Sequence, residues 1–193
     1  MEEGAFSIAG FYRRRVVRIF PALFVMLAAT LVAGCALLLP DDLRALAGSA
    51  AAAAGFVSNV YFDSRAGYFG GAAETIPLLH TWSLGVEEQF YLFYPLLLMA
   101  ARRLMPARLP LLLALVAAAS FALSLYWVGG APNAAFYLLP SRAWELALGG
   151  LVALGAFPQA PAPMRAALAL AGLGLIAVGL AFITSASAFP APW

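Results

Sequence analysis

Glu87, Glu88 and Gln89 stand in a row inside a stretch that is otherwise apolar from about Leu78 to Ala101. Read as a helix, this stretch puts Glu87 about 13 Å from its start. A carboxylate at the centre of a membrane helix costs about 2.5–3.5 kcal/mol against lipid, so these side chains must face protein, a watered cavity or a ligand. Neighbours in a helix point about 100° apart, and Glu87 and Glu88 cannot share a face. The expectation is that one serves chemistry while the other holds a neighbouring helix. His80, Ser83, Glu87, Tyr91 and Tyr94 recur at steps of three or four and fall close to one stripe. A histidine, a hydroxyl, a carboxylate and two phenols can handle protons, and histidine suits general-base work near neutral pH. His80 and Glu87 are therefore the candidate catalytic residues. The same spacing also fits a polar seam that locks helices together.

Two further polar sets lie in apolar surroundings. Arg142 and Glu145, three apart, can pair along one helix face, and Gly149-Gly150 beyond them permits close helix approach. They are either a neutralising pair or a guanidinium held by an acid to receive an anion. Arg15 and Arg18, also three apart, stand at the start of the first long apolar run. They could grip phosphates bidentately or serve only as a topology anchor. The one cysteine, Cys35, excludes internal disulfides and thiolate clusters, and no metal site is expected. Leu31 to Cys35 resembles a lipoprotein cleavage site, but Ala36 to Leu39 stay apolar where a polar tether belongs, which favours an ordinary helix.

The elements that must carry these groups are membrane helices. Of 193 residues, 64% are hydrophobic and 10% charged, and mean hydropathy is +0.92. A soluble domain needs about a quarter of its residues charged. Lipid is the solvent this composition suits. The net charge of +2 is too small to point to nucleic acid. All eleven basic residues are arginine, in a chain rich in alanine, so the choice of arginine at any one site says little.

The reading is all-α: a polytopic transmembrane bundle of about six membrane helices. Apolar runs at 19–39, 78–101, 109–128, 136–154 and 166–184 supply five, and an Ala-rich segment at 43–62 is a weaker sixth. Residues 1–12 read as a polar-to-apolar lead, and 63–77 as an interfacial or re-entrant loop rich in Gly and aromatics. Pro158, Pro161 and Pro163 read as a rigid linker. Four arginines at 13–18 and three at 102–108 both prefer the cytoplasm. Three full crossings would put them on opposite sides. Either 43–62 does not cross fully or one cluster is outside.

Three segments go beyond generic membrane sequence. Phe11-Tyr12-Arg13-Arg14-Arg15-Val16-Val17-Arg18-Ile19-Phe20-Pro21 resembles the Arg-x-x-Arg signature of the acyltransferase 3 family of membrane O-acyltransferases. The block from Pro77 to Tyr91, with His80-Thr81-Trp82-Ser83-Leu84-Gly85 and Glu87-Glu88-Gln89, resembles that family's most recognisable segment. Ser141-Arg142-Ala143-Trp144-Glu145 through Gly149 is similar to a third motif, and order and spacing match as well.

The resemblance implies a bacterial cytoplasmic (inner) membrane enzyme, multi-pass, that transfers an acyl group other than aminoacyl. Commonly it is acetyl, moved from acetyl-CoA to a hydroxyl of an envelope glycan. No cofactor is implied beyond the acyl-CoA donor; the partners are the lipid bilayer, acyl-CoA and the glycan acceptor. By the likeness Arg15 and Arg18 engage the CoA phosphates, while Glu87 and the Arg142–Glu145 pair line the transfer cavity. The family's essential histidine lies upstream of the Arg-x-x-Arg signature. Residues 1–193 therefore read as a partial transmembrane domain of this type, with no soluble domain, lacking an N-terminal helix and C-terminal helices and weakly active or inactive alone. Two alternatives remain open: a polytopic transporter and a non-catalytic membrane remnant.

Overall fold

The computed structural model describes residues 7–65, 76–104, 108–157 and 160–182. The described residues form eight helices and no strand: α1 Ile8–Leu37, α2 Pro40–Ala54, α3 Ser58–Arg65, α4 Thr81–Leu104, α5 Leu109–Val128, α6 Pro132–Tyr137, α7 Leu139–Ala153 and α8 Ala162–Phe182. The all-α reading holds. The chain divides into two compact units, residues 1–99 and 100–193.

Three helices, α1, α5 and α8, are long and apolar enough to cross a membrane. Large apolar side chains lie bare along them, such as Val32 at 73% and Leu180 at 82% exposure. That surface is stable only in lipid, and the chain is a multi-pass membrane protein. With 24 residues α4 has the length to cross, and Glu87, Glu88 and Gln89 are what dilute its apolar character. The expected count of six thus contains three helices that qualify by length and composition and one that qualifies by length.

The other two expected spans are short. The segment expected at 43–62 is broken: α2 has 15 residues and α3 eight, and 15 residues reach about 22 Å against a hydrocarbon core of about 30 Å. The break is a Schellman turn, with Val57 N–H bonded to Ala52 O at 2.8 Å and Phe56 N–H to Ala53 O at 3.1 Å. The run expected at 136–154 is likewise divided at Leu138, leaving α7 with 15 residues. Both breaks precede a new helix start that hydropathy alone does not register.

In the first unit α1 starts at Ile8, with the Ser7 hydroxyl accepting from Gly10 N–H at 3.1 Å. The arginines at 13–18 therefore lie within the helix, not ahead of it. Pro40 opens α2 and Asp41 and Asp42 occupy its first turn, where carboxylates suit the helix dipole. Leu23 and Leu27 of α1 pack on Leu46, Ala50 and Ala53 of α2, with Leu78 completing the core. Gly34 lets α1 approach the Leu46 side chain more closely than any Cβ would.

In the second unit α5 presents Leu113, Ala117, Ser120 and Ser124 along one buried stripe, and α7 presents Ser141, Ala147 and Leu151. A serine of α5 ties the two helices together, and a serine of α7 fixes that helix's start. The Ser120 hydroxyl donates to Pro140 O at 2.6 Å and accepts from Trp144 N–H at 3.0 Å. That of Ser141 donates to Leu138 O at 2.8 Å. Residues 66–75, most of the expected re-entrant loop, and Pro158 of the expected linker lie outside the described residues; Pro163 is inside α8.

Candidate functional site

The first unit brings two of the sequence motifs together across 73 residues. Arg15 of α1 reaches Glu88 of α4, Nη2 to Oε1 at 2.7 Å and Nε to the same oxygen at 3.2 Å. The two side chains keep 13% and 15% of their exposure. The guanidinium also lies flat on Tyr91, its carbon 3.4 Å from the ring centre, with Phe11 at 5.9 Å. Tyr91 is one turn beyond Glu88, so acid and ring grip the same group from one helix face. Next to this pair the Tyr12 hydroxyl donates to Leu92 O at 2.7 Å.

Glu87 and Glu88 separate as their angular spacing requires. Glu88 holds α1, and Glu87 is exposed, with no bonded partner among the described residues. Arg18, expected to act alongside Arg15, is exposed too. The two arginines thus differ: Arg15 is neutralised and stacked, and Arg18 keeps its full charge at the surface.

Gln89 anchors a polar knot that the sequence reading missed. Its Nε2 donates to Phe56 O at 2.9 Å and to Asn59 Oδ1 at 2.8 Å, and Asn59 Nδ2 returns a bond to Gln89 Oε1 at 3.3 Å. Asn59 and Ser58 are fully buried, and the Ser58 hydroxyl donates to Thr81 O at 2.7 Å. Gly85 makes the approach possible, because a Cβ there would stand 2.9 Å from Asn59 Oδ1. Phe56 has φ +55, a left-handed conformation costing about 1–2 kcal/mol for a residue with a Cβ. It occupies the turn position that glycine usually takes, and Gly55 sits one residue early. The knot holds Phe56 so that its ring faces Phe20, centres 5.5 Å apart. Asn59 has no sequence signal: it lies within the Ala-rich run 43–62 that reads as one continuous segment.

His80 sits in the turn before α4, exposed, with Nε2 3.3 Å from Met26 Sδ. Two residues earlier Leu78 is left-handed at φ 64 and is held by its burial in the core. The expected stripe does not form a relay among the described residues. The Ser83 hydroxyl donates to His80 O at 3.1 Å, Tyr91 receives Arg15, and Tyr94 stacks on Phe90 at 4.9 Å. Ser83 and Tyr94 find their partners within or just before α4, and Tyr91 alone reaches another helix. In the second unit Arg142 Nη2 donates to Glu145 Oε1 at 2.8 Å and Oε2 at 3.0 Å, and Nη1 to Phe136 O at 3.2 Å. The expected intrahelical pair is present, with Arg142 at 13% and Glu145 at 35% exposure.

A helical membrane protein with these motifs on α1, α4 and α7 fits one family. The profile described as "Acyltransferase domain" (Acyl_transf_3) matches residues 3–193, and the chain belongs to this acyltransferase 3 family. BcsY of Komagataeibacter xylinus, provisionally named a membrane-bound transacylase, is 32% identical over 171 residues, 89% of this chain and 44% of that protein. YrhL of Bacillus subtilis (strain 168), provisionally named a peptidoglycan O-acetyltransferase, is 33% identical over 150 residues, 75% of this chain and 23% of that protein. An uncharacterised Haemophilus influenzae protein is 38% identical over 101 residues, 52% of this chain and 41% of that protein. The chain spans less than half the length of these curated relatives. No solved structure matches it.

Proposed function

We propose that the chain is part of a membrane O-acyltransferase of the bacterial cytoplasmic membrane, moving an acyl group, most simply acetyl, from acyl-CoA to a hydroxyl of an envelope glycan. The observation that carries this reading is the Arg15–Glu88 contact, where the Arg-x-x-Arg segment of α1 meets the Glu87-Glu88-Gln89 segment of α4. A pair drawn from two polar segments and tucked between membrane helices has a purpose beyond anchoring. Two relatives with acyl-transfer names support the reaction class.

In the reaction the hydroxyl oxygen attacks the thioester carbonyl carbon, the carbon–sulfur bond breaks and an ester forms. The hydroxyl proton passes to a base and then to the departing thiolate, which leaves as free CoA. Within this chain His80 is the candidate base, since among the described residues its ring meets only a thioether. Arg18, exposed and charged, is the candidate for a CoA phosphate, and Glu87 for an acceptor hydroxyl. Arg142 and Glu145 form a neutral pair that would hydrogen-bond polar substrate groups. The break between α2 and α3 supports the option that residues 43–62 do not cross fully.

The test is acetyl-CoA radiolabelled in the acetyl group, supplied to the cytoplasmic face of membranes carrying the full-length parent. Label in glycan is the expected result. Label that enters the vesicle lumen without transfer would make the protein a carrier, and label that neither binds nor moves would leave a non-catalytic remnant.

A further inference from the structure

Two clefts in the first unit differ in chemistry. One of about 410 Å³ between α1 and α2 is lined by Phe24, leucines and alanines alone, as a bilayer lipid tail requires. The other, about 300 Å³, is walled by Val16, Phe20, Phe56, Val57 and Leu92, with Arg15 and Glu88 in its lining. Its polar content is specific. The Tyr12 hydroxyl is spent on Leu92 O, and both Gln89 amide protons on Phe56 O and Asn59. Arg15 has five N–H donors, of which Glu88 engages those of Nε and Nη2. No described residue accepts from Nη1. Glu88 cancels the charge of Arg15, so the cleft offers hydrogen-bond donors without net charge. Such a lining disfavours an anion and suits a neutral carbonyl oxygen attached to an aliphatic group.

Resting on the acyl-CoA reading above, we propose that this cleft receives the acyl end of the donor. Arg15 donates to the thioester carbonyl, and the Phe20–Phe56 wall limits chain length. Glu88 is then a positioning residue that turns Arg15 from an anion binder into a neutral donor. At roughly 30 Å³ for each small group, the volume holds about ten heavy atoms, so the cleft takes chains well beyond acetyl. Phe56 fits the role of a limit, since the Gln89 bond fixes its strained backbone and its ring cannot swing away freely.

The experiment measures binding of CoA thioesters with two to twelve acyl carbons to the full chain in phosphatidylcholine nanodiscs. Full burial of a methylene strengthens binding about fourfold, and a half-open cleft about twofold. The expected result is a steady gain from acetyl to about octanoyl, roughly 50-fold in all, and then a plateau. Phe56→Gly, which the left-handed backbone accepts, moves the plateau to longer chains, and Val57→Trp flattens the series. Glu88→Gln makes affinity for acetyl-CoA fall more steeply with salt, because Arg15 regains its charge. CoA binding that does not vary with chain length overturns the acyl cleft and leaves the acyl-CoA reading in place. Absence of CoA binding at every length overturns that reading and this inference with it. An octanoyl chain carrying a terminal diazirine separates the two sources of an aliphatic tail. Labelling of Phe20, Phe56 or Val57 from octanoyl-CoA supports the assignment. Labelling only from phosphatidylcholine with the same tail overturns it.

Discussion

Removing the Glu88 carboxylate tests whether the two helices that carry the site are held by the ion pair. The charges of Arg15 and Glu88 lie about 4 Å apart, worth about 4 kcal/mol at an effective dielectric of 20. Part of that is offset by desolvation, since each side chain keeps only 13–15% exposure. Breaking a buried pair by deleting one partner costs about 3–5 kcal/mol, because the other charge is stranded. Here Arg15 keeps Tyr91 beneath it at 3.4 Å, a contact worth about 1–2 kcal/mol for a partly desolvated cation. Glu88→Ala is therefore expected to destabilise the first unit by about 2–3 kcal/mol. Arg15→Met combined with Glu88→Leu, which strands no charge, should cost under about 1 kcal/mol. The assay is a double-mutant cycle on reversible unfolding in mixed micelles. Additive single-mutant effects, with a coupling below about 0.5 kcal/mol, would refute the claim that the contact holds α1 to α4.

Three further outcomes follow from the same geometry. Arg18→Ala should weaken CoA binding tenfold or more at low salt and leave thermal stability unchanged, because the side chain is exposed; titration with CoA at two ionic strengths checks both. In a full-length parent Glu87→Gln should abolish transfer to glycan while the protein unfolds at the wild-type temperature, and retained transfer would remove Glu87 from the chemistry. Gly85→Ala should destabilise by about 1–3 kcal/mol, because its Cβ would stand 2.9 Å from Asn59 Oδ1; a thermal shift in detergent-solubilised protein within error of wild type would contradict the close approach.

The sequence by itself determined the solvent and the family. With 64% hydrophobic and 10% charged residues, the chain must be helical in lipid, since only helices or closed barrels satisfy their own backbone there. The run at 109–128 coincides with α5, because unbroken apolar length is a local property. The angular argument that splits Glu87 from Glu88 also needs nothing beyond helix geometry, and the structure has Glu88 holding α1. Local reading failed where the backbone turns without a strong breaker. The Schellman turn at 55–57 puts Phe56 in the position glycine usually fills, and hydropathy stays high through it.

Tertiary structure alone decided which residue each polar group meets. Arg15 and Arg18 look equivalent in sequence, yet one is neutralised by an acid 73 residues away and the other is exposed. Asn59 gains its meaning from Gln89, 30 residues on. Such pairings follow from how helices pack, and packing depends on side-chain shape at contacts far apart in the chain, which spacing along one helix does not encode.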